Sequence, residues 1–164
     1  MKYILDACCG GRMMWANKAH PNAIYADKRI AQKGHIQNGF NPNHCVIPDV
    51  VMDFSNMPFK DKSFKMVVFD PPHLSTLTEA SIMRKKYGSL DQLHWSSDLR
   101  LALNECWRVL DDYGTLIFKW NDIEIPYKRI LELVDFKPLI MNITAGQKAL
   151  KTKNRSYWFT YMKF

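Results

Sequence analysis

Four aspartates each follow a short apolar run directly, and they carry the most informative chemistry in the chain. They are Asp6, Asp27, Asp53 and Asp70. If the apolar runs are parallel strands of an open sheet, their carboxyl ends share the edge where such sheets bind ligands. The pattern therefore predicts an acidic cleft that suits a cationic or hydroxyl-rich ligand, although a single aspartate after a strand is commonly a turn former.

The turn after the first run, Asp6 to Gly11, consists of small residues that let a ligand approach the backbone. It lacks the GxGxxG spacing of dinucleotide sites, and the chain has no P-loop signature, so neither chemistry is favoured. Asp27 comes 27 − 6 = 21 residues after Asp6. At this spacing an acid after the second strand accepts both hydroxyls of a ribose. We therefore expect a nucleoside bound without phosphates, with Asp53 facing the adenine amine.

The segment Asp70-Pro71-Pro72-His73 is the sharpest local signal. Two prolines fix φ and remove backbone donors, so the turn presents carbonyl acceptors beside a carboxylate. Two such acceptors can hold the N–H groups of a target amine and aim its lone pair outward. The alternative interpretation is a rigid turn that only ends a strand.

Short apolar runs alternate with helical patterns along the chain, which predicts an α/β fold with a doubly wound, open sheet. Pro48 interrupts the third apolar run, so only the second half of that run is predicted as a regular strand. The predicted strands are Tyr3–Leu5, Ala23–Tyr25, Val46–Ile47 with Val50–Met52, Met66–Phe69, Thr115–Phe118, and a terminal pair at Leu139–Met141 and Tyr157–Tyr161.

Three helices are predicted from apolar periodicity. One spans Leu99 to Leu110 with Ser96 or Ser97 as N-cap, and another spans Tyr127 to Val134 with Pro126 at its first position. A weaker helix follows Gly11 and stops before Pro21. Residues 73–95 show no clear periodicity, and we expect a mobile substrate loop there.

The chain has 164 residues and 19.2 kDa, which suits one domain over residues 1–164. It carries 23 basic and 16 acidic residues, a net charge of +7, which favours a polyanionic partner. Basic residues beside aromatic ones predict phosphate contacts and base stacking. The predicted substrate-binding residues are Arg84, Lys85, Lys86, Tyr87, Trp95, Trp120, Lys151 and Lys153, the last two in a basic cluster with Lys148 and Arg155.

The four cysteines have no metal-ligand spacing, so no metal site is predicted. Cys8 and Cys9 are adjacent and we interpret them as small residues of the turn, not as nucleophiles. No secretory leader or membrane-length apolar run is seen, so we expect a reducing, cytoplasmic location.

These residues together resemble the class I S-adenosylmethionine-dependent methyltransferases that methylate amines. The resemblance is closest to small single-domain enzymes of bacteria and their phages, through the blocks LDACCG, MDF with MPF, FDPPH and GTLIFKW. It implies a mostly parallel, Rossmann-like seven-stranded sheet with an antiparallel terminal strand. It also implies S-adenosyl-L-methionine as cofactor and transfer to an exocyclic amine, of adenine or cytosine in nucleic acid, with DNA favoured over RNA.

The resemblance also assigns roles to individual residues. Asp6, Ala7, Cys8 and Gly10 would wrap the methionine part of the cofactor. Asp27 would hold the ribose, with its neighbour Lys28 also in the cofactor site. Asp53 and Phe54 would contact the adenine. The residues Asp70, Pro71, Pro72 and His73 would orient the target amine, with Asp70 also facing the cofactor.

Two positions depart from the family pattern. Arg12 stands where a second glycine is usual, and His73 stands where nucleic-acid enzymes more often have an aromatic residue. The chain also has no room for a recognition domain, so a protein partner is one possible source of sequence specificity. Other functions stay open: methylation of a protein amide or small molecule, a non-catalytic nucleic-acid-binding subunit, and a magnesium-dependent hydrolase.

Overall fold

The computed structural model describes residues 2–36, 41–144 and 155–164, which form a single mixed sheet. Its strands are β1 (Ile4–Asp6), β2 (Ala23–Asp27), β3 (Val50–Val51), β4 (Phe64–Phe69), β5 (Leu110–Asn121), β6 (Ile140–Thr144) and β7 (Ser156–Met162). The spatial order of these seven strands is β3-β2-β1-β4-β5-β7-β6. β7 runs antiparallel to both of its neighbours, whereas the pairs from β3 to β5 are parallel. The predicted seven-stranded, mostly parallel sheet is confirmed.

The third predicted strand shows how a proline divides an apolar run. β3 contains only Val50 and Val51, whereas Val46 forms an isolated antiparallel bridge with Ala31. Pro48 has no amide hydrogen to donate, so the ladder cannot continue through it. The interruption expected at this proline is therefore present, and the strand beyond it is short.

The described residues form three helices, α1 (Ile82–Tyr87), α2 (Trp95–Val109) and α3 (Tyr127–Leu131). α2 is amphipathic and buries Leu99, Ala102, Leu103, Cys106 and Val109 against the sheet. It begins before both predicted caps. Asp91 accepts hydrogen bonds from the amides of Leu93 and His94, while Ser97 donates its hydroxyl to the His94 carbonyl.

The helix near Pro126 is shorter than predicted. Pro126 precedes α3 and accepts a hydrogen bond from the Arg129 amide, and the helix ends at Leu131, not at Val134. Val134 is still buried in the core. The apolar periodicity therefore identified the buried face correctly but not the length of the regular helix.

The helix predicted between Gly11 and Pro21 is wrong, because this stretch consists of turns and bends. Arg12 has a positive φ of 54°, a left-handed conformation that a right-handed helix cannot include. Further along, the Asn17 side chain accepts a hydrogen bond from the Ala19 amide. Such side-chain bonds compete with helical ones.

The segment 73–95 is irregular except for α1. None of the side chains of α1 is buried, which explains why no apolar period marks it in the sequence. Its Gly88 has a φ of 83° and ends the helix, with its amide bonded to the Arg84 carbonyl. Within the described residues, no helix has the length and apolar character needed to cross a membrane.

A column of aromatic rings crosses the middle of the sheet. Phe118 of β5 is fully buried and stacks on Phe69 of β4 at 5.8 Å and on Phe159 of β7 at 5.7 Å between ring centroids. This column joins the parallel half of the sheet to its antiparallel half.

Phe118→Ala is expected to lower the free energy of unfolding by about 3–5 kcal/mol, because it opens a cavity between three strands. Phe164→Ala is the matched control, since that ring is 80% exposed, and its effect should stay within about 0.5 kcal/mol. Urea denaturation measures both. Equal effects of the two substitutions would show that the aromatic column does not join the sheet.

Candidate active site

Three of the four aspartates lie where neighbouring parallel strands end. Asp6 is the last residue of β1, Asp27 is the last residue of β2, and Asp70 directly follows β4. Asp53 comes two residues after β3, and its side chain is 49% exposed, so it stands at the rim. The parallel order of the strands thus brings these carboxylates to one edge.

Asp6 is buried, with 2% of its surface exposed. Its two oxygens accept hydrogen bonds from the Trp15 indole at 2.7 Å and from the Cys8 amide at 3.3 Å. Burial raises the pKa of Asp6 to about 7, the charges of Asp70 and Asp27 add to the rise, and the two hydrogen bonds oppose it. The carboxyl therefore changes protonation close to neutral pH.

Asp27 is equally buried, and it is clamped by Arg29. The guanidinium of Arg29 places Nε 3.1 Å from one carboxylate oxygen and Nη2 3.2 Å from the other. The backbone amides of Arg29 and Gly10 also donate hydrogen bonds to the Asp27 carboxylate, at 2.9 and 3.0 Å. Four donors thus occupy a carboxylate that has about four lone-pair sites. Any further donor at Asp27 must displace one of them.

The turn after β1 adopts a glycine-like conformation at Arg12. This residue has a φ of 54°, and four groups hold its guanidinium, one of them the Asp49 carboxylate at 3.6 Å. It donates to the carbonyls of Lys18 and Ile47 at 2.8 and 2.7 Å and lies 3.8 Å from the centroid of the Tyr25 ring. Surrounding contacts of this kind stabilise a backbone conformation that is otherwise costly.

The two cysteines of this turn are thiols at neutral pH. Burial, with the charge of Asp27, raises the pKa of Cys8 well above its ordinary value. Burial also raises the pKa of Cys9 to about 12. Because the thiolate is the reactive form, these side chains are poor nucleophiles.

The corner after β4 carries an ion pair. The Lys119 ammonium lies 2.8 Å from the Asp70 carboxylate, and both side chains are about a quarter exposed, at 27% and 26%. Lys119 also lies over the Trp158 ring at 5.6 Å. Partial burial lowers the pKa of His73, so its ring is neutral at physiological pH. The corner therefore offers one charged acceptor, one neutral imidazole and one cation.

Trp120 is a core residue and does not line the cavity beside this corner. It is 1% exposed and donates its indole N–H to the Ile125 carbonyl. Its ring meets the His73 ring edge-on at 6.4 Å. In the structure the Trp120 ring therefore lies in the core and packs against His73.

Two cavities flank the carboxyl edge. The first has a volume of about 310 Å³ and is lined by Asp6, the turn Cys8–Trp15 and the corner Asp70–His73, together with Lys119. The second has about 250 Å³ and is lined by Asp27, Lys28 and Phe54 among others. Cys8, Arg29 and Pro72 line both, so the cavities adjoin. Phe54 is 8% exposed and Lys28 lies over its ring at 5.8 Å.

The predicted substrate-binding residues are only partly collected at this site. Tyr87 lines the first cavity, Arg84 lines the second, and Lys86 lies in the same helix, α1. The Lys85 carbonyl lies 3.3 Å from His35, and Trp95 packs at the start of α2 with Arg129 over its ring. Lys151 and Lys153, with Lys148, lie outside the described residues.

Sequence reasoning missed three residues that hold the carboxylates: Trp15, Arg29 and Lys119. For Lys119 a signal existed, because Phe69 pairs with Phe118 in the sheet and the next residues of both strands are Asp70 and Lys119. Arg29 stands two residues after Asp27, so its side chain can fold back across the turn to the carboxylate. The indole of Trp15 could not be assigned, since that stretch was predicted to be helical.

Within the described residues, no three or more His, Cys, Asp and Glu side chains are grouped so that they could hold a metal ion. The neighbouring carboxylates are instead held by donors from Trp15, Arg29 and Lys119. The edge is thus organised by protein cations and N–H groups.

No family model matches the chain, and no curated protein sequence does either. Solved structures do match over its whole length. A SAM-dependent methyltransferase from Methanosarcina mazei has a TM-score of 0.58 at 14% identity, covering 99% of this chain and 92% of that one. The geranyl diphosphate C-methyltransferase of Streptomyces coelicolor, in complex with Mg²⁺, geranyl diphosphate and S-adenosyl-L-homocysteine, has a TM-score of 0.60 at 10% identity, covering 100% and 71%.

The same fold is shared by a protein with another named activity. The cyclase SpnF matches with a TM-score of 0.58 at 13% identity, covering 99% of this chain and 75% of that one. The comparisons therefore show the class I methyltransferase, Rossmann-like fold, and the chemistry has to be argued from the residues at the edge.

The raised pKa of Asp6 predicts a specific dependence of stability on pH. An unfolded aspartate loses its proton near pH ~4, whereas folded Asp6 keeps it up to about 7. Raising the pH between these values therefore favours the unfolded chain. Relative to Asp6→Asn, the free energy of unfolding of the natural chain should fall across this window by up to ~1.4 kcal/mol per pH unit.

Urea denaturation at a series of pH values measures the difference, with Asp135→Asn, an exposed site, as control. Curves for the natural chain and Asp6→Asn that run parallel from pH ~4 to ~7 would contradict the assigned protonation.

Proposed function

We propose that the chain is an S-adenosyl-L-methionine-dependent methyltransferase that acts on an exocyclic amine of adenine or cytosine in nucleic acid, with DNA favoured over RNA. The carrying observation is that the Asp70–His73 corner and the small-residue turn after β1 line the same cavity. The corner that we propose to hold the amine and the turn that we propose to admit the cofactor thus line one cavity.

The edge suits the cofactor in size and charge. The two adjoining cavities, of about 310 and 250 Å³, can accommodate an elongated ligand. We assign the methionine part to Asp6, Ala7, Cys8 and Gly10, the ribose to Asp27 and the adenine to Asp53 and Phe54, with Lys28 at the rim. Asp70 supplies negative charge near a sulfonium, and Asp6 adds to it when its carboxyl is ionised, which is a favourable interaction.

S-adenosyl-L-methionine supplies an activated methyl group, so the chain's own residues have to position the acceptor and exclude water. Asp70 and the carbonyl oxygens of the proline corner accept the two N–H groups of the target amine. This arrangement points the nitrogen lone pair into the first cavity. Lys119 balances the charge of Asp70, and His73 offers a neutral ring face on which a base can stack.

Nucleic acid is favoured as the acceptor by the net charge of +7 and by the basic helix α1 beside the site. A target in a duplex would have to be flipped out of the stack to reach the corner. A phosphorylated small molecule is the second candidate, because one matching structure belongs to an enzyme named for geranyl diphosphate.

Asp70→Ala is expected to leave cofactor affinity within a few-fold while lowering methyl transfer by on the order of 10²-fold, the typical penalty for a misplaced reactant. The assay incubates the protein with methyl-labelled cofactor and, separately, with DNA, RNA and a small-molecule extract. Asp112→Ala is the control, since Asp112 pairs with Lys62 away from the site. Unchanged turnover in Asp70→Ala would contradict the amine-holding role, and label only in the small-molecule fraction would contradict the nucleic-acid acceptor.

Arg29 provides a separate test of the cofactor assignment. Because its guanidinium occupies Asp27, ribose hydroxyls must displace it before they can bind there. Arg29→Leu should therefore tighten cofactor binding by about tenfold, equivalent to ~1.4 kcal/mol. Calorimetric titration measures this, with Arg100→Leu in α2 as the control. Weaker binding in Arg29→Leu would mean that Arg29 itself contacts the cofactor.

A further inference from the structure

A third cavity lies next to the proposed active site and is not needed for the cofactor. It has a volume of about 630 Å³ and shares the wall Gly10–Met13 with the first cavity. A ligand that enters the first cavity can therefore extend into this one past the same backbone turn.

The polar side chains around this third cavity are hydrogen-bond donors or cations. They are Arg12, Lys18, Lys86, Asn41, Asn43 and His44. Among the described residues that line it, none carries a carboxylate. In this respect it is the opposite of the first cavity, whose walls include Asp6 and Asp70.

His44 has a hydrogen-bonding capacity that the described protein atoms do not use. Both of its ring nitrogens are buried, and neither has a partner among the described residues. A buried polar atom without a hydrogen-bond partner is unfavourable. The imidazole ring of His44 also packs closely against the Gly10–Met13 turn. A Cβ atom built on Gly11 would lie only 2.8 Å from Nε2 of His44.

The surroundings of His44 are electropositive. Burial first, and then the charges of His35, Lys86, Arg29 and Lys18, lower the pKa of His44. An anion placed among these groups would meet favourable potential from several directions. Arg12 also lines the cavity, but its guanidinium is bonded to the carbonyls of Lys18 and Ile47 and lies 3.6 Å from the Asp49 carboxylate, so its charge is partly balanced.

We infer that this third cavity binds a backbone phosphate of the nucleic-acid strand whose base enters the first cavity. Lys18 and Lys86 supply the charge, the exposed side-chain amides of Asn41 and Asn43 donate hydrogen bonds, and the His44 ring lines the same wall. The inference rests on the proposed function, and it adds the place where the strand is held. The phosphate belongs to the acceptor, because the cofactor has none.

The test uses Lys18→Met and Lys86→Met, with Lys65→Met as a matched control that removes the same charge. Lys65 lies on β4 and pairs with Asp111, away from the three cavities. Fluorescence anisotropy measures the affinity of a short single-stranded oligonucleotide at several salt concentrations. The negative slope of log K against log salt should become shallower by about 0.7 in each cavity variant and stay unchanged in the control.

A second measurement uses the natural chain and so does not depend on a variant's folding. The imidazole resonances of His44 are followed by NMR during titration with a dinucleoside monophosphate and, separately, with inorganic phosphate. We expect the dinucleotide to shift them. Unchanged salt slopes together with unmoved His44 resonances would overturn the inference, even if nucleic acid is still methylated.

The two proposals fail in distinguishable ways. If the dinucleotide shifts His44 and the lysine variants lower the salt slope while no nucleic acid is methylated, the phosphate site stands and the proposed activity is wrong. If inorganic phosphate or a phosphorylated small molecule shifts His44 but the dinucleotide does not, the nucleic-acid strand is the wrong source of the phosphate.

Discussion

Burial of carboxylates at the ends of adjacent parallel strands is the constraint on which the rest of this edge depends. Asp6 and Asp27 are each 2% exposed, and a buried carboxylate is unfavourable unless donors or a proton neutralise it. Each is stabilised by a partner from an irregular segment: Trp15 for Asp6 and Arg29 for Asp27. Arg29 also reaches the Lys86 carbonyl of α1 at 3.4 Å. The buried carboxylates therefore hold the irregular segments that carry Trp15 and Arg29 in place through these hydrogen bonds.

The sheet could be predicted from the sequence because its strands are continuous apolar runs, and a run covered on both faces has few alternatives. The aspartates at the carboxyl edge followed from the same pattern. The partners of these aspartates did not, since Trp15 and Arg29 reach them through turns whose conformations depend on tertiary contacts. Arg12 is the clearest case: its left-handed backbone is held by carbonyls of Lys18 and Ile47, the second of which is 35 residues away.

A fold shared with a cyclase and with methyltransferases leaves the reaction to the side chains at one edge. Here that edge changes in character over a short distance. The first cavity combines Asp6 and Asp70 with Arg12, Arg29 and Lys119, whereas the charged side chains that line the neighbouring one are all cations. The two share the Gly10–Met13 turn, so a cationic cofactor and an anionic acceptor would be sorted to opposite sides of one backbone segment.

The crystal structure of the chain with bound S-adenosyl-L-methionine tests the central claim most directly. We predict ribose hydroxyls within hydrogen-bonding distance of Asp27, with the Arg29 guanidinium moved off that carboxylate. The adenine should lie against Phe54 and the methyl group should face the Asp70–His73 corner. A cofactor bound elsewhere, or an edge left empty at saturating concentration, would contradict the account.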